Sequence, residues 1–233
     1  MRVIAHRGAS GYAPENTAAA FAKAIAMGAD AIETDVRLSA DGELVLIHDA
    51  TVTRTTDGRG PVADHTLAEL RALDAGRWFS DAFAGERVPT LAELIEDVAP
   101  RIPVVLEIKD RAATGPTIAA IRAAGIEDRV EVTSFLWPAV VEAKRLAARL
   151  PIGFLTPEFD EDIIRRCARR GLAQVCPHVD TLTEELASAA HAADLMVRAY
   201  GISRREQVDR LFAAGADGAT VNWPDWIPGQ GVS

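Results

Sequence analysis

What this chain has little of narrows its class before any motif is read. Only two of its 233 residues are cysteines, Cys167 and Cys176, nine positions apart. Two cysteines in apolar contexts cannot form a disulfide scaffold, so both are expected as buried free thiols in a reducing compartment. Although 48% of the residues are hydrophobic, no apolar run approaches the roughly 20 residues needed to cross a bilayer, and no membrane insertion is expected. Met1 to Ala5 runs straight into His6-Arg7-Gly8 with no leader-like apolar stretch, so the expected location is cytoplasmic. Positive charge is in deficit, 25 Lys and Arg against 34 Asp and Glu, for a net charge of -9. That balance argues against a nucleic-acid partner, which calls for a basic face. Low-complexity tracts and internal repeats are lacking too, beyond a rhythm of short apolar runs alternating with alanine-rich amphipathic segments.

That rhythm is the βα pattern of a parallel sheet. Eight candidate strands can be marked: Arg2 to His6, Ala31 to Val36, Pro103 to Lys109, Val130 to Phe135, Ile152 to Thr156, Ala173 to His178, Leu195 to Tyr200 and Gly218 to Val221. Eight is the number that closes a (β/α)8 TIM barrel, and the chain length suits one domain over residues 1–233. Helix starts are legible: Asn16 or Thr17 can cap the first, and Thr90-Leu91-Ala92-Glu93 is a capping box. One gap is too long. About 65 residues separate the second and third strands, far more than a compact connection needs. The gap opens with a hairpin, turning at Ser39-Ala40-Asp41-Gly42 and returning through Leu44 to Ile47 to end at His48-Asp49. The remainder of the gap, approximately residues 50–89, is expected to be a small insertion over the barrel mouth.

The second strand carries the strongest chemical signal. Alternation puts Ile32, Thr34 and Val36 on one face and Ala31, Glu33 and Asp35 on the other, so two carboxylates share a side of an apolar strand. Such a pair repels itself in a low-dielectric interior and calls for a cation. In (β/α)8 proteins the site forms where the strands end. The strands end at His6-Arg7, Glu33-x-Asp35, His48-Asp49 and Glu107-x-Lys109, which would converge on one mouth. Glu33, Asp35 and Glu107 against Arg7 and Lys109 sum to -1. One divalent ion would make the pocket +1, matched to a phosphodiester. An all-oxygen donor set favours Mg²⁺ or Ca²⁺ over zinc. His6 and His48 supply what phosphoester chemistry then needs, a proton acceptor and a proton donor near neutral pH. Of the other histidines, His65 falls in the insertion, His191 on a helix, and His178 at the end of the sixth strand, where it could face the mouth.

His6-Arg7-Gly8-Ala9, Pro14-Glu15-Asn16-Thr17, Glu33-x-Asp35-Val36, His48-Asp49 with Arg54-Thr55-Thr56-x-Gly58, Leu73-Asp74-Ala75-Gly76, Pro89-Thr90-Leu91 and Glu107-x-Lys109 succeed one another in this order. The ordered set resembles the bacterial, cytoplasmic type of the glycerophosphodiester phosphodiesterase family. The resemblance implies a TIM barrel with an insertion after strand two and a role in glycerol and lipid metabolism. It also implies metal-dependent hydrolysis of glycerophosphodiesters to sn-glycerol 3-phosphate and an alcohol. Glu33, Asp35 and Glu107 would then be metal ligands, His6 and His48 the acid/base pair acting through a cyclic phosphate, and Arg7 and Lys109 the phosphate binders. Asn16 reads as a helix cap rather than a ligand. Ser134-Phe135 agrees with the family, whereas Tyr200-Gly201-Ile202-Ser203 replaces its Trp-Thr-Val-Asn-like run; Phe135, Tyr200 and Trp223 are the candidate pocket lining. A lyase or transferase on the same chassis would use the same residues and stop at the cyclic phosphate. An amidohydrolase would need an H-x-H pair that His6-Arg7-Gly8 lacks, a binding-only barrel would be expected to have lost a histidine or carboxylate, and a nuclease would need a basic approach surface. Whether the chain forms a homo-oligomer is left open by the sequence.

Overall fold

The computed structural model describes residues 1–227. In chain order the elements are β1 (Arg2–His6), α1 (Ala18–Ala26), β2 (Ala31–Leu38), β3 (Leu44–Leu46), α2 (Leu67–Ala72), α3 (Leu91–Asp97), β4 (Val104–Ile108), α4 (Thr114–Ala124), β5 (Val130–Ser134), α5 (Trp137–Leu146), β6 (Ile152–Thr156), α6 (Glu161–Arg169), β7 (Gln174–Pro177), α7 (Glu184–Ala192), β8 (Met196–Ile202), α8 (Gln207–Ala213) and β9 (Gly218–Val221). Strands β1, β2 and β4 to β9 are parallel, in the order β1-β9-β8-β7-β6-β5-β4-β2, and β1 pairs with β2 to close the ring. This is a TIM barrel. The third strand lies outside the ring as the antiparallel return of a hairpin, Val36 opposite Leu46.

Alternation along each strand separates two interiors. Outward residues such as Val3, Ile32, Leu106, Val132 and Val197 pack against the helices in the main core. Inward residues fill the barrel itself, and there the composition changes with depth. Ile4, Ala31 and Val105 form a small apolar plug. Beside it runs a polar chain: Arg2 pairs with Glu131, Gln174 Nε2 donates to Glu131 Oε2 at 2.8 Å, and Arg198 Nε donates to Gln174 Oε1 at 3.1 Å. Glycine at position 153 makes room for this chain, since a Cβ there would stand 2.5 Å from Gln174 Cγ.

From β3 to the start of α3 the chain builds a second, separate core, Val45, Ile47, Val52, Val62, Leu70, Ala75 and Val88. Thr66 and Glu69 form a reciprocal capping box at the start of α2, as Thr90 and Glu93 do for α3. At the first helix, Thr17 alone is the cap, its side chain accepting from Ala20 N. Asn16 has a left-handed φ of 57° and its side chain is used elsewhere.

Candidate active site

The end of β1 is bent by two left-handed residues, Arg7 at φ 54° and Gly8 at φ 80°. Gly8 packs so closely on α1 that a Cβ would meet Ala20 backbone carbon at 2.6 Å. A positive φ at a non-glycine residue is a local strain found at functional sites. Here it turns the Arg7 amide inward, where it donates to Glu33 Oε2 at 3.0 Å. The Arg7 guanidinium donates to Glu15 at 2.7 Å, and its Nε lies 3.0 Å from Asp35 Oδ2, placed for ion pairing. Asn16 serves the same centre from the next loop: Nδ2 donates to Asp35 Oδ2 at 2.9 Å while Oδ1 accepts from Thr34 Oγ1 at 2.7 Å. The expectation that Asn16 caps a helix is corrected. A capping side chain must face the amides of the first turn, and the turned backbone at Asn16 sends its side-chain amide to β2 instead.

Glu33, Asp35 and Glu107 come together, each offering an oxygen within 4.8 Å of the others, and all three are buried. The register explains it, because Asp35 pairs with Glu107 across parallel neighbours β2 and β4. Lys109 comes next on the same face, its Nζ 2.5 Å from Glu107 Oε1 and 3.7 Å from Asp35 Oδ1. Burial drives Glu33 well above the usual carboxylate range, and the charges of Asp35 and Glu107 push the same way. Glu107 is also raised, by burial and then by Asp35. Asp35 resists burial, because Arg7 and Lys109 hold it below its ordinary value. Glu33 Oε1 and Asp35 Oδ1 have no hydrogen-bond partner. Converging buried oxygens, two of them orphaned and all mutually repelling, fit a hard divalent cation in kind and spacing.

Both histidines flank this centre with fixed tautomers. His6 Nδ1 lies 2.6 Å from Asn222 Oδ1, which can only accept, so Nδ1 carries the proton and Nε2 presents its lone pair 3.9 Å from Glu33 Oε2. Burial, then the neighbouring Arg7, lowers its pKa to about 4. His48 closes the hairpin return, and its Nδ1 lies 2.6 Å from Asp49 Oδ1. Burial lowers His48 as well, with Asp35 and Asp49 pulling the other way. Arg54, donating to both Asp49 and Glu15, holds the Asp49 carboxylate far below its usual range. Asn222, Asp49, Arg54 and Glu15 were not singled out from the sequence for these roles. Asn222 shares its strand face with Thr220, a signal that alternation alone could have shown.

A cavity of ≈270 Å³ opens on these groups. Its near wall is His6, Arg7, Glu33, His48, Glu107 and Lys109; Phe135 and Tyr200 also line the cavity, edge to face with ring centres 5.2 Å apart, and Lys109 Nζ lies 5.7 Å from the Phe135 ring centre. Trp223 does not face the cavity. It stacks on Trp226 at 4.2 Å, beside Gly11, and the lining at that point is Asn222. His178 also stays out of the lining: it accepts from Asp180 N and packs edge to face on the Tyr200 ring at 5.3 Å. His65 and His191 are engaged far from this mouth, with Pro61 O and Asp217. Among the described residues, no helix is long and apolar enough to cross a membrane.

Residues 6–226 match the glycerophosphoryl diester phosphodiesterase family. A glycerophosphodiester phosphodiesterase of Caldanaerobacter subterraneus is 38% identical, over 97% of this chain and 95% of its own. A putative glycerophosphodiester phosphodiesterase of Bacillus subtilis is 35% identical, over 97% and 96%. A phosphodiesterase of Oleispira antarctica, solved in complex with the product sn-glycerol 3-phosphate, superposes with a TM-score of 0.89 at 33% identity, covering 97% of this chain and 95% of that one.

Proposed function

The chain belongs to the glycerophosphoryl diester phosphodiesterase family, phosphoric diester hydrolases, and from that premise we propose metal-dependent hydrolysis of glycerophosphodiesters to sn-glycerol 3-phosphate and an alcohol by the paired histidines. The observation that carries the reading is the buried triad Glu33, Asp35 and Glu107 set between His6 and His48 in one cavity. A divalent cation, Mg²⁺ or Ca²⁺, held by these three carboxylates would act as a Lewis acid on the phosphoryl oxygens. Everything else is supplied by side chains of this chain.

Arg7 and Lys109 line the near wall and are positioned to hold the phosphodiester oxygens by charge. His6, neutral at pH 7 and with its Nε2 lone pair free, takes the proton from a hydroxyl of the retained glycerol arm. That oxygen attacks phosphorus to form a cyclic phosphate, and the departing alkoxide takes a proton from His48, whose Nδ1 is held by the Asp49 carboxylate, which offsets part of the lowering that burial imposes on this imidazole. Water then opens the ring with the roles exchanged. A water that loses its proton to His48 attacks phosphorus, and His6 returns the proton to the glycerol oxygen. Each positioned proton transfer is worth about 10²- to 10⁴-fold. The test is glycerol 3-phosphate release from glycerophosphocholine by chelator-treated protein, with and without added Mg²⁺ or Ca²⁺. Release only with metal is the expected result, and metal-independent release or none would overturn the reading. The small-molecule diester is the expected partner, the acidic surface offers nothing to nucleic acid, and cytoplasmic residence fits two buried free thiols.

A further inference from the structure

The cavity has a second half that the chemistry above does not use. Below the rim formed by Phe135, Tyr200 and Asn222, its floor is made one step down the same strands by Thr133, Arg198 and Thr220. Arg198 is 4% exposed. Every partner of its guanidinium is neutral: Nε donates to Gln174 Oε1 at 3.1 Å, Nη1 to Thr220 Oγ1 at 2.5 Å and Nη2 to Cys176 Sγ at 3.5 Å. Burial pushes the Cys176 thiol up, so it remains uncharged. The nearest acidic group on this chain of contacts, Glu131, is already paired with Arg2. No carboxylate among the described residues lies within 4.0 Å of Arg198. Arg7 and Lys109 stand in contrast, each ion-paired with Asp35 and a glutamate. On the same floor, the buried hydroxyl of Thr133 has no hydrogen-bond partner at all.

A buried guanidinium without a counter-ion is costly to keep unless something brings the charge to it. The cavity gives access, and a floor carrying an arginine, an idle hydroxyl and Thr220 suits a carboxylate, which accepts from all of them. The reaction decides which part of a substrate reaches the floor. The departing alcohol has to leave through the mouth, whereas the retained arm, with its attacking hydroxyl, stays closed in. Resting on the function proposed above, we propose that Arg198, Thr133 and Thr220 form an anion subsite for a carboxylate at the end of the retained arm, so that the enzyme also takes phosphodiesters of glycerate-type hydroxy acids. Such an arm differs from glycerol by a carboxylate in place of the terminal CH₂OH, and keeps the hydroxyl that attacks phosphorus.

The test needs a matched pair of ligands: sn-glycerol 3-phosphate, and 3-phosphoglycerate of the same spatial configuration at its carbinol carbon. Both are titrated by calorimetry into the Mg²⁺-loaded protein, wild type and Arg198→Met, with thermal melts to show that the variant is folded. Wild type is expected to bind the carboxylate compound at least about tenfold more tightly, a step of roughly 1.4 kcal/mol. In Arg198→Met the two ligands should bind within about twofold of each other, taking that step as the resolution of the comparison. Thr133→Val, isosteric and chosen in case Arg198→Met does not fold, should narrow the preference for the carboxylate compound. Equal binding in wild type overturns the subsite, and so does a preference that survives in Arg198→Met, which would mean the carboxylate had gone to the metal instead. If glycerophosphocholine is hydrolysed while the preference is absent, the subsite alone has failed. If neither ligand binds and nothing is hydrolysed, the reaction has failed with it.

Discussion

At the scale of single residues, the two histidines are not equivalent. His6 is locked by Asn222 into the tautomer that presents a lone pair, whereas His48 is held at Nδ1 by the Asp49 carboxylate, which works against the lowering by burial that both rings share. A p-nitrophenyl ester of glycerol phosphate has a leaving group that departs without protonation, so His48→Ala should lose little on it while losing about 10²-fold or more on glycerophosphocholine. His6→Ala should lose comparably on both. Equal losses for His48→Ala on the two esters would remove His48 from the donor role. The low pKa of His6 also bears on stability. The unfolded chain takes up a proton near 6.5 and the folded one only near 4, so stability is fully present above pH 6.5 and drains away as pH falls toward 4. The loss is on the order of 1–3 kcal/mol, since a one-unit shift corresponds to about 1.4 kcal/mol. The raised Glu33 and Glu107 carboxyls act in the opposite direction as pH falls, so the His6 share is read as the difference between wild type and His6→Gln in urea unfolding of the chelator-treated proteins at pH 7.5 and 4.5, the variant losing less.

At the scale of elements, the site depends on how a hairpin outside the ring is tied to the ring. His48 and Asp49 lie on the return from β3, and Arg54 links Asp49 to Glu15, which in turn holds Arg7 at the end of β1. Arg54→Ala should leave the barrel folded but release His48, lowering kcat by about 10²-fold, the low end of what a positioned acid/base group supplies. Thr90→Ala gives the contrast: it removes a capping box from α3, which no site residue uses, and should cost about 1 kcal/mol of stability with kcat unchanged. Period-two alternation is why so much at this scale was readable. It paired Glu33 with Asp35 and Glu107 with Lys109, and the fold has the eight expected barrel strands with ends shifted by at most a residue or two. The same rule puts Arg198 on the Tyr200 face and Asn222 on the Thr220 face, so both were accessible to it. Asn16 and the Glu15–Arg54–Asp49 strap were not, because a turned loop and contacts 39 positions apart leave no local period.

For the whole molecule, the barrel interior stores a conflict that ligand binding resolves. Three buried carboxylates within 4.8 Å repel one another, and two of them are displaced upward from their ordinary range. The metal-free fold should therefore be the weaker one. A cation present at about 100 times its Kd adds roughly 2.7 kcal/mol, and for a chain of this size each kcal/mol raises Tm by about 2–4 °C. Chelation should thus lower Tm by roughly 5–10 °C, and Mg²⁺ or Ca²⁺ should restore it. Glu33→Gln separates repulsion from ligation. Removing one of the repelling charges should let the chelated variant melt above chelated wild type, while its response to added metal shrinks and its activity falls with metal affinity. Differential scanning calorimetry of the two proteins, with chelator and with metal, gives four melting temperatures. If chelated Glu33→Gln melts with or below chelated wild type, the carboxylates do not strain the empty centre. If wild type melts at one temperature in all conditions, the triad does not hold the ion.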